Sequence, residues 1–163
     1  MNVRTCPWLN DDGSICSTPP KDDRHRVGLC EFHSSVQYHI QLASQGRLLN
    51  ELEVTDHSPG FTYVAETGEG SYRLGHAGSM KLLVPKLRKA FGNGELVKVA
   101  TLIDGGKSRY LTLIAQFSPF WIRGTSTYDP HEELTKEIAA LPRSDMFSDL
   151  PRNMTGLTDL FAW

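Results

Sequence analysis

The sequence predicts an α+β fold: a small three-stranded antiparallel sheet with flanking helices, preceded by a loop module that cannot order itself. Three observations carry this. Residues 1–35 contain all three cysteines and little that could be buried. Residues 61–74 contain two strand-like runs around a glycine-bearing turn, and helical spacing then alternates with strand spacing as far as residue 141.

The N-terminal module is defined by Cys6, Cys16, Cys30 and His33, spaced C-x9-C-x13-C-x2-H. A tetrahedral zinc ion takes four such ligands, and the tight Cys30–His33 pair clamps it from one turn while Cys6 and Cys16 close the other side. Between them, Asp11-Asp12-Gly13 and Thr18-Pro19-Pro20-Lys21-Asp22-Asp23 are turn-forming and charged, so a metal would supply the ordering. The alternatives are buried or chance cysteines, or a disulfide; an odd cysteine count with a histidine at ligand spacing argues for metal. Four protein ligands leave no open position for water, which makes the expected zinc structural. His25, between Arg24 and Arg26, reads as solvated rather than as a spare ligand.

Each later element has its own signal. A helix is expected after the ligands, capped by Ser34 or Ser35, with Val36, His39, Ile40, Leu42 and Ala43 at three-and-four spacing before Gly46. It serves as a connector over residues 36–58, ending at the Ser58-Pro59-Gly60 break. Strands over 61–65 and 71–74 form a hairpin. Residues 81–91 form a helix with cations on one side and leucines on the other, despite Pro85; 95–103 is the third strand, and 108–117 is a helix rather than a further buried strand. Phe120-Trp121-Ile122-Arg123-Gly124 is a short aromatic segment, and 130–141 a last helix with Asp129 as N-cap and Pro130 in its first position. The division is therefore 1–35, 36–58, 59–141 and a tail over 142–163.

Composition restricts the function classes. With 163 residues, 39% hydrophobic and 22% charged, the chain holds one core of about a hundred residues plus a small module. A formal net charge of −2 excludes a globally basic nucleic-acid coat but allows a local cationic stripe. No apolar run approaches the roughly 18–20 residues of a membrane span, and the N-terminus lacks a signal-peptide pattern, so a cytoplasmic protein with no membrane partner is expected.

The order of elements, with Phe61-Thr62-Tyr63 on the first strand, Tyr72-Arg73-Leu74-Gly75 on the second, His76-Ala77-Gly78-Ser79 after it, Gly92-Asn93 before the third strand and Ile122-Arg123-Gly124 near the end, resembles the phage-type branch of the GIY-YIG endonucleases. The resemblance covers about residues 60–140 and implies a phage or mobile-element style of protein. It also implies a phosphodiester-cleaving site in which tyrosines, here Tyr63 and Tyr72, activate water, a helix arginine stabilises the developing charge, and a glutamate holds Mg²⁺. The arginine position falls in Leu82-Leu83-Val84-Pro85 and the glutamate position near Tyr110, so the implied enzyme is degenerate, and Mg²⁺ belongs only to an active one. The tyrosines could equally be aromatics paired across a hairpin.

Two binding surfaces remain. Arg73, Lys81, Lys86, Arg88 and Lys89 form the densest cationic cluster; they make a phosphate-binding stripe if Arg73 and Lys98 project to the same side, and otherwise a solvated helix face. In the tail, Asp145-Met146-Phe147 and Asp159-Leu160-Phe161 resemble the hydrophobic end of sliding-clamp-binding peptides, implying a host replication or defence partner for residues 143–163. The competing reading lays Phe147, Leu150, Leu157, Phe161 and Trp163 on the core. The overall expectation is a zinc-containing, catalytically inactive protein that binds nucleic acid or its machinery, with an active metal-dependent endonuclease and a tail-mediated inhibitor as alternatives.

Overall fold

A computed structural model describes residues 5–19 and 29–156. The elements are α1 (Glu31–Glu51), β1 (Phe61–Thr67), β2 (Tyr72–Ala77), α2 (Met80–Gly92), β3 (Leu96–Asp104), α3 (Lys107–Phe117), β4 (Thr127–Tyr128), α4 (Glu132–Ala140) and α5 (Arg152–Thr155), with single 3-10 turns at Ser118–Phe120 and Asp145–Asp149. The sheet is antiparallel in the order β3-β1-β2-β4. It has four strands, one more than the sequence predicts, because β4 is only two residues long and pairs with Tyr72 and Arg73. A strand that short leaves no alternation to read.

The hairpin and both central helices form where the sequence places them. Thr67 and Ser71 close the β1–β2 turn, their hydroxyls 2.8 Å apart. β2 runs on through Gly75, His76 and Ala77, three residues beyond expectation. Ser79 caps α2 by accepting from the Leu82 amide at 3.3 Å. Pro85 removes one helical hydrogen bond from α2, but it lies on the exposed side, while Leu83 and Leu87, four residues apart, are fully buried. Burying each contributes about 1.5–3 kcal/mol.

Alternation along the strands divides the core in two. Tyr63, Ala65, Val99 and Leu102 face α2, joined there by Phe147, Leu150 and Met154 from the chain's end. Val64, Leu74 and Ile103 face the other way, against α1, α3 and α4 through Ala43, Leu113, Ile114, Phe117, Leu134 and Ile138.

Two helix starts differ from expectation. The first helix begins at Glu31 with Cys30 as its N-cap, ahead of Ser34 and Ser35, and runs for 21 residues through Gly46. Gly46 is tolerated because α1 passes so close to α3 that a Cβ there would strike the Leu111 carbonyl. This helix therefore crosses the expected module border and packs as part of the core. The Ser58-Pro59-Gly60 break is likewise fastened to the start of α3: the Ser58 and Ser108 hydroxyls each accept the other residue's amide, at 3.0 and 2.7 Å. α4 is capped by His131, whose Nδ1 accepts from the Glu133 amide at 3.1 Å, and not by Asp129. Asp129 is held in a turn, its amide donating to Phe120 and its carbonyl accepting from His131, both at 2.7 Å.

The described part of the tail is docked. Phe147, Leu150 and Met154 are buried on the α2 face, the Arg143 guanidinium lies 4.1 Å from the centre of the Phe147 ring, and the Ser144 amide donates to Leu102 at 2.7 Å. Leu157, the Asp159-Leu160-Phe161 motif and Trp163 lie outside the described residues, as does His25. Phe147→Ala should cost about 3–5 kcal/mol, measured by denaturant unfolding. A loss under about 1 kcal/mol, the scale of an ordinary surface change, would mean that this segment is not part of the core.

Candidate metal centre and the cavity behind it

The four sequence-predicted ligands come together although 27 residues separate the first from the last. Residues 6–18 form a small hairpin. The Cys6 amide donates to Thr18 at 2.9 Å, the Cys16 amide to Trp8 at 2.8 Å, and Leu9 bridges Ile15 around the Asp11-Asp12-Gly13 turn. Cys30 sits at the head of α1, with His33 one turn in. His33 Nδ1 lies 3.4 Å from Cys6 Sγ and 3.3 Å from Cys30 Sγ, and Cys16 Sγ lies 4.0 Å from Cys30 Sγ. All four ligand atoms fall within 4.8 Å of one another.

These separations can be compared with a metal site. Bonds of about 2.3 Å to sulfur and 2.0–2.1 Å to nitrogen set tetrahedral edges of about 3.8 Å between sulfurs and about 3.5 Å between sulfur and nitrogen. The three separations, 3.3, 3.4 and 4.0 Å, lie close to these edges, and no pair of ligand atoms is more than 4.8 Å apart. No disulfide joins the cysteines, and all four residues are buried. Burial lowers the His33 pKa, which keeps the ring neutral as a ligand must be. The Thr18 hydroxyl and amide lower the Cys16 thiol, while burial raises that of Cys30. Trp8 stacks on the His33 ring at 4.8 Å between centres, and Phe32 meets it edge-on at 5.1 Å. The group can hold a metal ion such as zinc, and among the described residues it is the only convergence of three or more His, Cys, Asp or Glu side chains of this kind.

The two tyrosines are not brought together. Tyr63 pairs across the hairpin with Gly75, and Tyr72 with Glu66, so they stand on opposite faces and are not cross-strand partners. The Tyr63 ring lies directly over Gly75, where any Cβ would collide with it. Burial raises the Tyr63 pKa, with Arg73 opposing and Glu95 adding to the shift. Tyr72 is buried under α4, its hydroxyl 3.0 Å from that of Thr135.

The cationic set also divides. Arg73 lies opposite Ala65 while Lys98 lies opposite Glu66, so the two project from opposite faces and the extended stripe does not form. Arg73 is instead paired with Glu95 at 3.5 Å. Lys81, Lys86, Arg88 and Lys89 are all exposed on α2. At roughly 100° per residue they occupy an arc of about 160°. Among the described residues none of the four has a carboxylate partner. Lys86 Nζ donates to the His76 carbonyl at 3.0 Å.

Sequence reasoning missed Glu95, the carboxylate that balances Arg73, and a cavity of about 460 Å³ on the opposite face of the sheet from α2. Its walls include Tyr38 and His39 of α1, Tyr110 of α3 and Tyr128 of β4. The His39 ring stacks on Trp121 at 3.9 Å, and burial first, then Arg47, lowers its pKa to about 4. Burial holds Tyr110 up to about 12 and raises Tyr128 as well. The available signal was the i, i+1 pair Tyr38-His39 on a helix whose neighbours are mostly polar; without the position of α3 it has no meaning.

No family model matches the chain, and neither a curated protein nor a solved structure matches it.

Cys30→Ser separates ligation from capping, because serine caps a helix well but lacks the thiolate. Metal content measured on protein purified without chelator should fall well below that of the parent, and limited proteolysis should open the chain within residues 5–19. Unchanged metal content and protection would remove Cys30 from the site.

Proposed function

We propose that this chain is a zinc-held nucleic-acid-binding protein, built on a GIY-YIG-like scaffold that has given up catalysis. The zinc is structural: it fastens the N-terminal hairpin to the head of α1 and leaves no position for a reacting water. Polyanion binding belongs to α2. The observation that carries it is the group of four exposed cations, Lys81, Lys86, Arg88 and Lys89, with no carboxylate partner among the described residues, in a chain whose formal net charge is −2. Unpaired cations on one arc keep their charge available for phosphates, whereas Arg73, paired with Glu95, contributes less. The inactive reading rests on Tyr63 and Tyr72 standing on opposite faces, each buried, so that no shared tyrosine pair is presented to a phosphodiester.

Phosphate contacts release condensed counterions, so affinity falls with salt in proportion to their number, with a slope of about −0.9 per phosphate for duplex DNA. Fluorescence anisotropy across a salt series should show binding at low salt, and the double variant Lys86→Ala with Arg88→Ala should flatten the slope by about one to two units. Binding that is absent at low salt, or indifferent to both substitutions, would refute the α2 assignment. Cleavage of the probe in Mg²⁺ or Mn²⁺ that disappears in Tyr63→Phe would replace the inactive reading with the endonuclease.

A further inference from the structure

The cavity between α1, α3, β2 and β4 is walled mainly by aromatic rings, with Arg73 and Glu69 also on its lining, and suits a flat aromatic ligand. His39 is 7% exposed, and its Nε2 is buried without a hydrogen-bond partner among the described residues; Tyr128, 3% exposed, turns its ring to the same cavity. The Tyr110 hydroxyl is also without a protein partner there, and Tyr38, at 62% exposed, stands at the mouth. Buried polar groups are ordinarily satisfied, so His39 Nε2 and Arg73 Nε, both buried without a partner among the described residues on the lining of one cavity, leave room for a ligand's own donors and acceptors, and the two phenol hydroxyls are free to add theirs. The volume of about 460 Å³ falls within the range of about 300–1,000 Å³ typical of such sites.

The cavity is also linked to the cationic helix. Lys86 Nζ holds the His76 carbonyl on β2, and the His76 ring lies 4.6 Å from the Tyr110 ring, which forms the cavity wall. β4 pairs with β2 only at Tyr72 and Arg73, so among the described residues no strand pairs with that edge at His76. A strand whose phosphates rest on α2 can therefore pass over that edge and present a base to the phenols. Aromatic rings accept any base by stacking, and neutral phenols donate to ring nitrogens and carbonyls without the cost of burying a charge.

We infer that this cavity receives one unstacked nucleobase from a single-stranded nucleic acid bound along α2. This deepens the nucleic-acid reading above and rests on it. The phosphates supply affinity through Lys86 and its neighbours, and the cavity adds one stacked base, which makes single strands preferred over duplex.

The test uses the full chain with its metal and a short single-stranded oligonucleotide carrying one fluorescent adenine analogue. Anisotropy reports binding of the strand, and quenching of the analogue reports its stacking. The parent protein should bind the strand and quench the analogue. Tyr110→Ala should lose the quenching and weaken binding about tenfold, the scale of one stacked base, while Tyr110→Phe, which keeps the ring, retains the quenching. Tyr38→Ala, at an exposed position that folding does not need, should weaken quenching in the same direction. If the strand binds through Lys86 and Arg88 but the analogue stays bright, or is quenched as strongly in Tyr110→Ala and Tyr38→Ala as in the parent, the cavity inference is wrong and the α2 reading stands. If no strand binds at low salt, both are wrong.

Discussion

The placement of the N-terminal hairpin over residues 6–18 depends on four side chains meeting at the head of one helix. Cys30 has two roles there: its sulfur accepts the His33 amide at 3.5 Å as the cap of α1, and it stands among the proposed zinc ligands. The hairpin carrying Cys6 and Cys16 has Trp8 and Leu29 as its apolar companions in that small core. So little apolar area cannot offset the entropy of ordering the loop, and a metal cross-link can. Because α1 then packs along α3 with Gly46 against the Leu111 backbone, order imposed at the cysteines passes directly into the main core. The module and the sheet domain are one construction joined by a 21-residue helix.

The sheet separates two kinds of chemistry. On one face α2 presents to solvent four cations with no carboxylate partner among the described residues, held over Leu83 and Leu87, and the docked Phe147, Leu150 and Met154 complete that face. On the other, α1, α3 and β4 enclose phenols that burial keeps neutral and a histidine that burial keeps uncharged. The proposed single-strand binding draws on both, charge for phosphates on one side and aromatic surface on the other, and His76, on the stretch of β2 that β4 does not pair with, touches both.

Much of this was legible in the residues. The ligand spacing named all four members of the cluster, and the period change after Gly60 gave the hairpin, α2, β3 and α3 in order. What could not be read depended on partners distant in the chain. Cys30 as a cap requires the thiol to be turned toward its own helix, and α4 begins late because Asp129 is held by Phe120, a contact that no local pattern encodes. Arg73 and Lys98 look alike in sequence; only the pairing of each to consecutive residues of β1 reveals that they leave the sheet in opposite directions. The cavity was invisible for the same reason, since its walls come from α1, β2, α3 and β4, which the chain visits far apart.

The central claim is that zinc, held by three sulfurs and one imidazole nitrogen, orders the start of the chain. X-ray absorption at the zinc edge, on protein expressed in zinc-supplemented medium, tests it most directly. One zinc per chain is expected, with a shell of three sulfurs at about 2.3 Å and one nitrogen at about 2.0–2.1 Å. A metal-free protein that is still folded over residues 5–19, or a zinc shell made only of oxygen and nitrogen, would contradict it.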